Sequence, residues 1–121
     1  MSDQKSVEEV VQRQLDAYNA RDIEALLATY AENAKQFEHP AKLLAEGHSQ
    51  IGERFALRFQ EPNLYAKLLK RAVMENVVID HEEITRTFPE GTGRIEVVAI
   101  YEVQAGLIQT ASFIFGSKKL D

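Results

Sequence analysis

The sequence predicts an α+β fold, with helices first and strands afterwards, and two periodicities carry that prediction. Up to Tyr30 apolar side chains recur every three to four positions, whereas Val77 to Phe115 is rich in β-branched and aromatic residues broken by turn signals. A chain ordered in this way packs its helices on one face of a sheet and leaves the other face to solvent or a partner. A chain of 121 residues has the size of one domain, here residues 1–121, and can bury roughly two-thirds of its unfolded surface.

Ser6 followed by Glu9 reads as a capping box, and Val7, Val10, Val11, Leu15 and Tyr18 then share one helical face, so an amphipathic helix is expected over residues 7–19. Gln14 lies within that stripe, where an amide lacking partners would cost roughly 1–3 kcal/mol, so it must face a wet pocket or bond locally. Asp22 can cap a second helix carrying Ile23, Leu26, Leu27 and Tyr30, and the two helices should pack as a hairpin. From Asn33 the period falls to two: Lys35, Phe37 and His39 share a face of a strand that Pro40 stops. Residues 41–48 read as a loop with a short extended piece. Ser49 is then expected to cap a third helix with Ile51, Phe55 and Phe59, ending near Pro62. Leu64 to Met74 fits a helical face through Leu64, Leu68, Leu69, Ala72 and Val73 and on its own reads as helix. Val77–Thr87, Arg94–Gln104 and Leu107–Phe115 read as strands of an antiparallel meander, with turns at Pro89, Gly91 and Gly93 and at Ala105-Gly106.

Composition narrows the function. Fourteen Lys and Arg against nineteen Asp and Glu give a net charge of -5, the wrong sign for a nucleic-acid backbone. No Cys is present, which excludes disulfides, thiolate ligands and a cysteine nucleophile and leaves oxygen and imidazole chemistry. The polar, acidic first residues hold no signal-peptide core and no apolar run is long enough to cross a bilayer, so a cytoplasmic protein with no membrane partner is expected. Three His without close ligand spacing argue against a metal site, and no glycine-rich phosphate loop or Gly-x-Ser-x-Gly occurs, so no cofactor is expected.

Residues 10–22 (VVQRQLDAYNARD), 30–40 (YAENAKQFEHP) and 99–108 (AIYEVQAGLI) together resemble the nuclear transport factor 2-like superfamily, and are most similar to its SnoaL-like and ketosteroid isomerase-like members. The segment Val78–Glu82 is similar to one in bacterial members of that group. The resemblance implies a cone-shaped fold with N-terminal helices on a curved, mostly antiparallel sheet around one pocket. It also implies a strand, not a helix, over residues 64–74, on which Lys67 and Arg71 alternate outward. In ketosteroid isomerases an Asp before the first-strand proline is the general base, and His39 matches it. The helix-1 tyrosine matches Gln14 and the protonated aspartate matches Ala99 or a close neighbour. With two of three groups replaced, a faithful ketosteroid isomerase is not implied, and fold alone assigns no reaction.

His39, held extended by the following proline, would point into the pocket with Phe37, and a neutral imidazole there could take an α proton from a carbonyl compound. On residues 77–84 only one set can look inward, Asp80 and Glu82 or His81 with Ile79, and His81 is favoured. His48 reads as a loop histidine. Tyr101 shares the face of Ile95, Val97, Ala99 and Val103. With Gln14 and Tyr18 it is a candidate donor to a developing oxyanion, worth about 2.7–4 kcal/mol. Tyr30, Phe37, Phe55, Phe59, Ile79, Val97, Ala99, Phe113 and Phe115 are expected to line an apolar ligand site. Glu96, Val98, Ile100 and Glu102, beside Ile108 and Ile114, make up the outward register, suited to a sheet-face homodimer. Two readings follow: a proton-transfer isomerase, cyclase or dehydratase for a small apolar carbonyl compound with His39 as base, or a non-catalytic small-ligand-binding or dimerisation domain.

Overall fold

A computed structural model describes residues 4–121 of the chain. Helices α1 (Gln4–Ala20), α2 (Ile23–Leu27) and α3 (Gly47–Arg58) accompany strands β1 (Tyr30–Glu38), β2 (Lys42–Glu46), β3 (Tyr65–Met74), β4 (Val77–Phe88), β5 (Gly91–Gln104), β6 (Leu107–Phe115) and the short β7 (Lys119–Leu120). The sheet runs β2-β1-β6-β5-β4-β3, and β7 pairs with β5. Every neighbouring pair is antiparallel except β1 with β6, so the α+β expectation and the C-terminal meander both hold.

The apolar stripe of α1 behaves as its period demands: Val7, Val10, Val11, Leu15 and Tyr18 are buried against the inner sheet face. Ser6 lies inside α1, which is already formed at Gln4, so it does not cap the helix. Asp22 does cap α2, accepting from the Ala25 N–H at 3.0 Å. Tyr30 is not the last residue of that helix but the first of β1, because α2 ends at Leu27 and Thr29 closes the turn by donating to the Leu26 carbonyl at 2.7 Å. The short extended piece after Pro40 is β2. Ser49 is likewise internal to α3, whose start is instead held by the Glu46 N–H donating to Gln50 Oε1 at 2.8 Å. Gly47 at φ 83 makes the strand-to-helix corner that a side-chain-bearing residue enters only with strain.

Residues 65–74 form a strand, and the reason they also fit a helical period is a bulge. Leu68 pairs with Glu82 but Lys70 pairs with His81, so Leu69 is the extra residue. Beyond it the inward set moves from Ala66 and Leu68 to Arg71 and Val73. Arg71 therefore points in, its side chain 9% exposed, rather than alternating outward. A second irregularity, at Glu102/Val103 where β5 meets β6, turns Ile108 inward; it is wholly buried and not part of the outer face. The core lies between the inner sheet face and the three helices, centred on Val11, Leu26, Tyr30, Ile51, Val78 and Ile108, each aliphatic member worth about 1.5–3 kcal/mol of burial.

Candidate active site

Strand β4 brings the acidic side chains to the interior. Its inward side chains are Val78, Asp80, Glu82 and Ile84, and its outward ones begin with Ile79, His81 and Glu83. Two carboxylates thus enter the interior, and the fold treats them differently. Asp80, 0% exposed, receives two hydrogen bonds from Arg71, Nε at 2.7 Å and Nη2 at 2.9 Å. Arg71 also donates to Gln12 Oε1 at 2.8 Å and lies 3.7 Å from Glu8. The Asp80 hydrogen bonds hold the Arg71 guanidinium above its ordinary value despite burial. Such a pair, with both forks satisfied, keeps a buried ion tolerable.

Glu82, 5% exposed, receives no hydrogen bond from any described residue. Burial pushes its carboxyl up to about 7, the negative charge of Asp80 adds to the rise, and Arg71 opposes it. A carboxyl divided between its two forms near neutrality can both take and return a proton.

Glu82 opens onto a cavity of ≈ 450 Å³, counting its mouth, between α1, α3 and the inner sheet face. Gln14, Leu15 and Tyr18 come from α1; Arg54, Phe55 and Arg58 from α3; Ala66, Ile84, Val97, Tyr101, Phe113 and Phe115 from the sheet. Tyr101 Oη donates to Gln14 Oε1 over a long 3.4 Å, and Gln14 itself lines the cavity. Burial raises the phenols of Tyr18 and Tyr101 above their ordinary value, Glu82 adds to the rise at both, and both remain protonated donors. Tyr18 packs edge-on to Phe55 and Phe59 at 5.8 and 5.5 Å, and Tyr101 edge-on to Phe113 at 6.4 Å, so the donors are fixed by aromatic walls. Phe113 in turn stacks on Phe115.

Arg54 donates to Gln36 Oε1 at 2.7 Å, and Gln36 Nε2 to Tyr30 Oη at 3.2 Å. This explains why β1 is reversed relative to its apolar pattern. Ala34 and the polar Gln36 face in, because Arg54 and Tyr30 satisfy the amide, whereas Phe37 is half-buried on the other side. A bulge at Gln36/Phe37 follows, and His39 ends exposed, its N–H donating to the Phe113 carbonyl at 2.8 Å. His39 therefore does not look into the cavity.

Of the residues singled out in the sequence, Gln14, Tyr18, Phe55, Val97, Tyr101, Phe113 and Phe115 line the cavity. Tyr30, Phe59 and Ala99 lie behind that lining in the packed interior. Ile79 and His81 are on the outer face; His81 Nε2 lies 2.7 Å from Glu96 Oε1. The favoured inward orientation of His81 is thus corrected, since Arg71 from β3 compensates the acidic set that turns in. His48 is in α3, not a loop, and its Nε2 lies 2.8 Å from the Tyr30 carbonyl. Glu82, Arg54 and Arg58 were missed, although Glu82 was legible as one of the two alternatives for β4.

Among the described residues no helix is long and apolar enough to cross a membrane, and no group of His, Asp and Glu is arranged to hold a metal ion.

Solved structures share this arrangement. The epoxide hydrolase/cyclase-like enzyme SalBIII, of pyran ring formation in the polyether salinomycin, superposes with TM-score 0.85 at 18% identity, over 96% of this chain and 95% of that one. A cystatin-fold protein of Novosphingobium aromaticivorans gives 0.82 at 21% identity, over 90% and 97%. A nuclear transport factor 2-like protein of Mesorhizobium loti gives 0.80 at 17%, over 97% of each chain. These superpositions establish a common fold, the nuclear transport factor 2-like cone of helices on a curved sheet. No curated protein matches the sequence. The sequence model of the SnoaL-like domain, however, matches residues 11–111, which runs from the buried face of α1 through both inward carboxylates to β6, and the chain belongs to the SnoaL-like domain family.

Proposed function

We propose that the cavity carries out proton transfer on a small apolar carbonyl compound, in an isomerisation, cyclisation or dehydration, with Glu82 as the general base. The observation that supports this reading is a buried carboxyl without a hydrogen-bond donor, raised to about 7, in an apolar cavity with protonated phenols. Ionised Glu82 removes a proton from the carbon α to the carbonyl, and the electron pair moves onto the carbonyl oxygen. Tyr101 or Tyr18 stabilises that oxyanion by a hydrogen bond without giving up its proton, since burial holds both phenols protonated. The now neutral Glu82 then returns the proton, to the γ carbon in an isomerisation, to a departing hydroxide in a dehydration, or, in a cyclisation, to the alkoxide left when the enolate carbon closes a ring on a second carbonyl of the same molecule and opens its C=O π bond. The fold shared with the cyclase-like SalBIII favours a cyclisation among these outcomes, by likeness of architecture only.

Exchange of α protons for deuterium tests this directly. A panel of small cyclic and aryl ketones in D2O, followed by proton NMR, is expected to lose α-proton signal faster with the protein than with buffer. Glu82→Gln should abolish the gain, and His39→Ala should leave it intact. Ligand binding without exchange across the panel would instead favour a non-catalytic binding domain.

A second copy of the chain is proposed to cover the outer sheet face. Ile79 and Ile114 are 39% and 42% exposed there, beside the half-buried Val98, Ile100 and Phe37. A contiguous apolar patch of this kind on a sheet is characteristic of an interface.

A further inference from the structure

Arg54 is a cation facing an apolar cavity with no carboxylate of the described residues within ion-pair distance. Its Nη1 is held by Gln36, and its guanidinium carbon lies 5.4 Å from the Phe113 ring centre and 5.7 Å from that of Phe55. One turn along α3, Arg58 lines the same wall. Arg58 reaches Glu61 at 3.5 Å, but Glu61 is already committed: it accepts from Arg86 at 3.1 and 2.7 Å and from the Thr87 N–H at 3.0 Å. Two guanidiniums, Arg58 and Arg86, therefore share one carboxylate and Arg54 has none, leaving the α3 wall of the cavity positive.

Burial and the like charge of Arg58 both press Arg54 below its ordinary value. Holding a guanidinium there without a counter-ion is costly, and an anion from outside offsets that cost. The ions that act on Glu82 are Asp80 and Arg71, whereas Tyr18 feels both Arg58 and Glu82. Base and cations enter the cavity from different elements, Glu82 from β4 and the two arginines from α3, and Tyr18 of α1 lines it as well.

We propose that the ligand is an amphipathic monocarboxylate: an apolar body along Phe55, Phe113 and Tyr101, a carboxylate at Arg54 and Arg58, and its reacting carbonyl beside Glu82. A carboxylate suits the site because the Arg54 fork keeps Nε and Nη2 for a planar two-oxygen acceptor while Nη1 stays on Gln36. The two aromatic rings flanking the guanidinium suit a group joined to hydrocarbon. This deepens the proton-transfer reading and rests on it for the place of the carbonyl, but the carboxylate end is testable alone.

Cyclohexanecarboxylate and cyclohexanecarboxamide have the same body and differ in charge. Titrated at pH 8 and low salt, the acid is expected to bind about tenfold more tightly or better than the amide, as a charge-assisted pair requires. The preference should vanish in Arg54→Gln, persist in reduced form in Arg54→Lys, and survive Glu82→Gln. Equal affinities, an undiminished preference in Arg54→Gln, or no binding of either probe overturns the proposal. With 4-oxocyclohexanecarboxylate the two readings separate. Preference for the acid without α-proton exchange sinks the base and leaves the anion site; exchange of a neutral ketone with no preference for acid over amide does the reverse.

Discussion

His81 and Glu82 are adjacent in β4 and stand on opposite faces of the sheet: His81 pairs with Glu96 at 2.7 Å on the outside, and Glu82 lies against the cavity without a donor. The histidine that the sequence favours as the inward residue of this strand is therefore the one removed from the site. With Glu82 as the base, the rate of α-proton exchange rises with pH and levels off above about 7, as the carboxyl loses its proton. Glu82→Gln should lower that rate by about 10²–10⁴-fold, the usual contribution of a positioned base, while His39→Ala and His81→Ala change it little.

The same carboxyl makes a stability prediction with a definite sign. Its folded value of about 7 is above the ordinary 4.5, so between these pH values the folded protein holds a proton that the unfolded chain has released. Stability attributable to Glu82 is therefore present below about pH 4.5 and is lost as pH rises through 7, by about 3 kcal/mol. Glu82→Gln should remove this slope and be more stable than the parent at pH 8, measured by urea denaturation at several pH values. A parent whose stability shows no greater fall than the variant over that range would contradict the buried, donor-free placement.

Asp80 is linked to Glu82 by charge and to Arg71 by two hydrogen bonds. Asp80→Asn removes the repulsion that raises Glu82 and releases Arg71 to stabilise its ionised form. Both effects move the Glu82 titration to lower pH, which a carbon-13 titration of its carboxyl would read. The variant should also lose about 3 kcal/mol of stability, since it takes from Arg71 its buried, hydrogen-bonded counter-charge and leaves only the half-exposed Glu8 at 3.7 Å. A titration moved upward would show that Asp80 does not act on Glu82 as described.

The sequence made the architecture legible but not the register at three places, each with a local physical cause. In β1 the apolar Phe37 was the natural inward choice, yet Gln36 turns in because Arg54, 18 residues away on α3, and Tyr30 satisfy its amide. In β3 the bulged Leu69 shifts the alternation, which made Arg71 look outward and the segment look helical. In β4 a strict period of two offered both faces equally, and only Arg71 opposite Asp80 selects the acidic one. Pairing between elements, invisible to a local period, decided all three. The α1 and β5 positions needed no such partner, and Gln14, Tyr18, Val97 and Tyr101 were found from their periods alone.

Tyr101 tests the donor side. Its hydroxyl is buried and bonds Gln14 over 3.4 Å, a length that contributes little to folding. Tyr101→Phe is expected to cost about 1 kcal/mol or less in stability but about 10²-fold in exchange rate, as loss of an oxyanion donor does. Equal losses in both would assign the phenol to packing.

The outer face supplies the last prediction. Ile79 pairs with Ile100 across β4 and β5, and Val98 with Ile114 across β5 and β6, so these four side chains form one apolar surface in the middle of the sheet. The bordering residues are of both signs: Lys70 opposite His81, then Glu96 and Glu83. A two-fold contact can set the basic border of one copy against the acidic border of the other, while the apolar centre meets itself. Sedimentation of the parent should show a dimer. Ile100→Glu, a half-buried position on that face, should shift it to monomer by placing like charges opposite each other at the centre, without touching the cavity. A parent that sediments as a monomer at all concentrations would mean that this surface serves some other contact. A dimer unchanged by Ile100→Glu would locate the interface elsewhere on the chain.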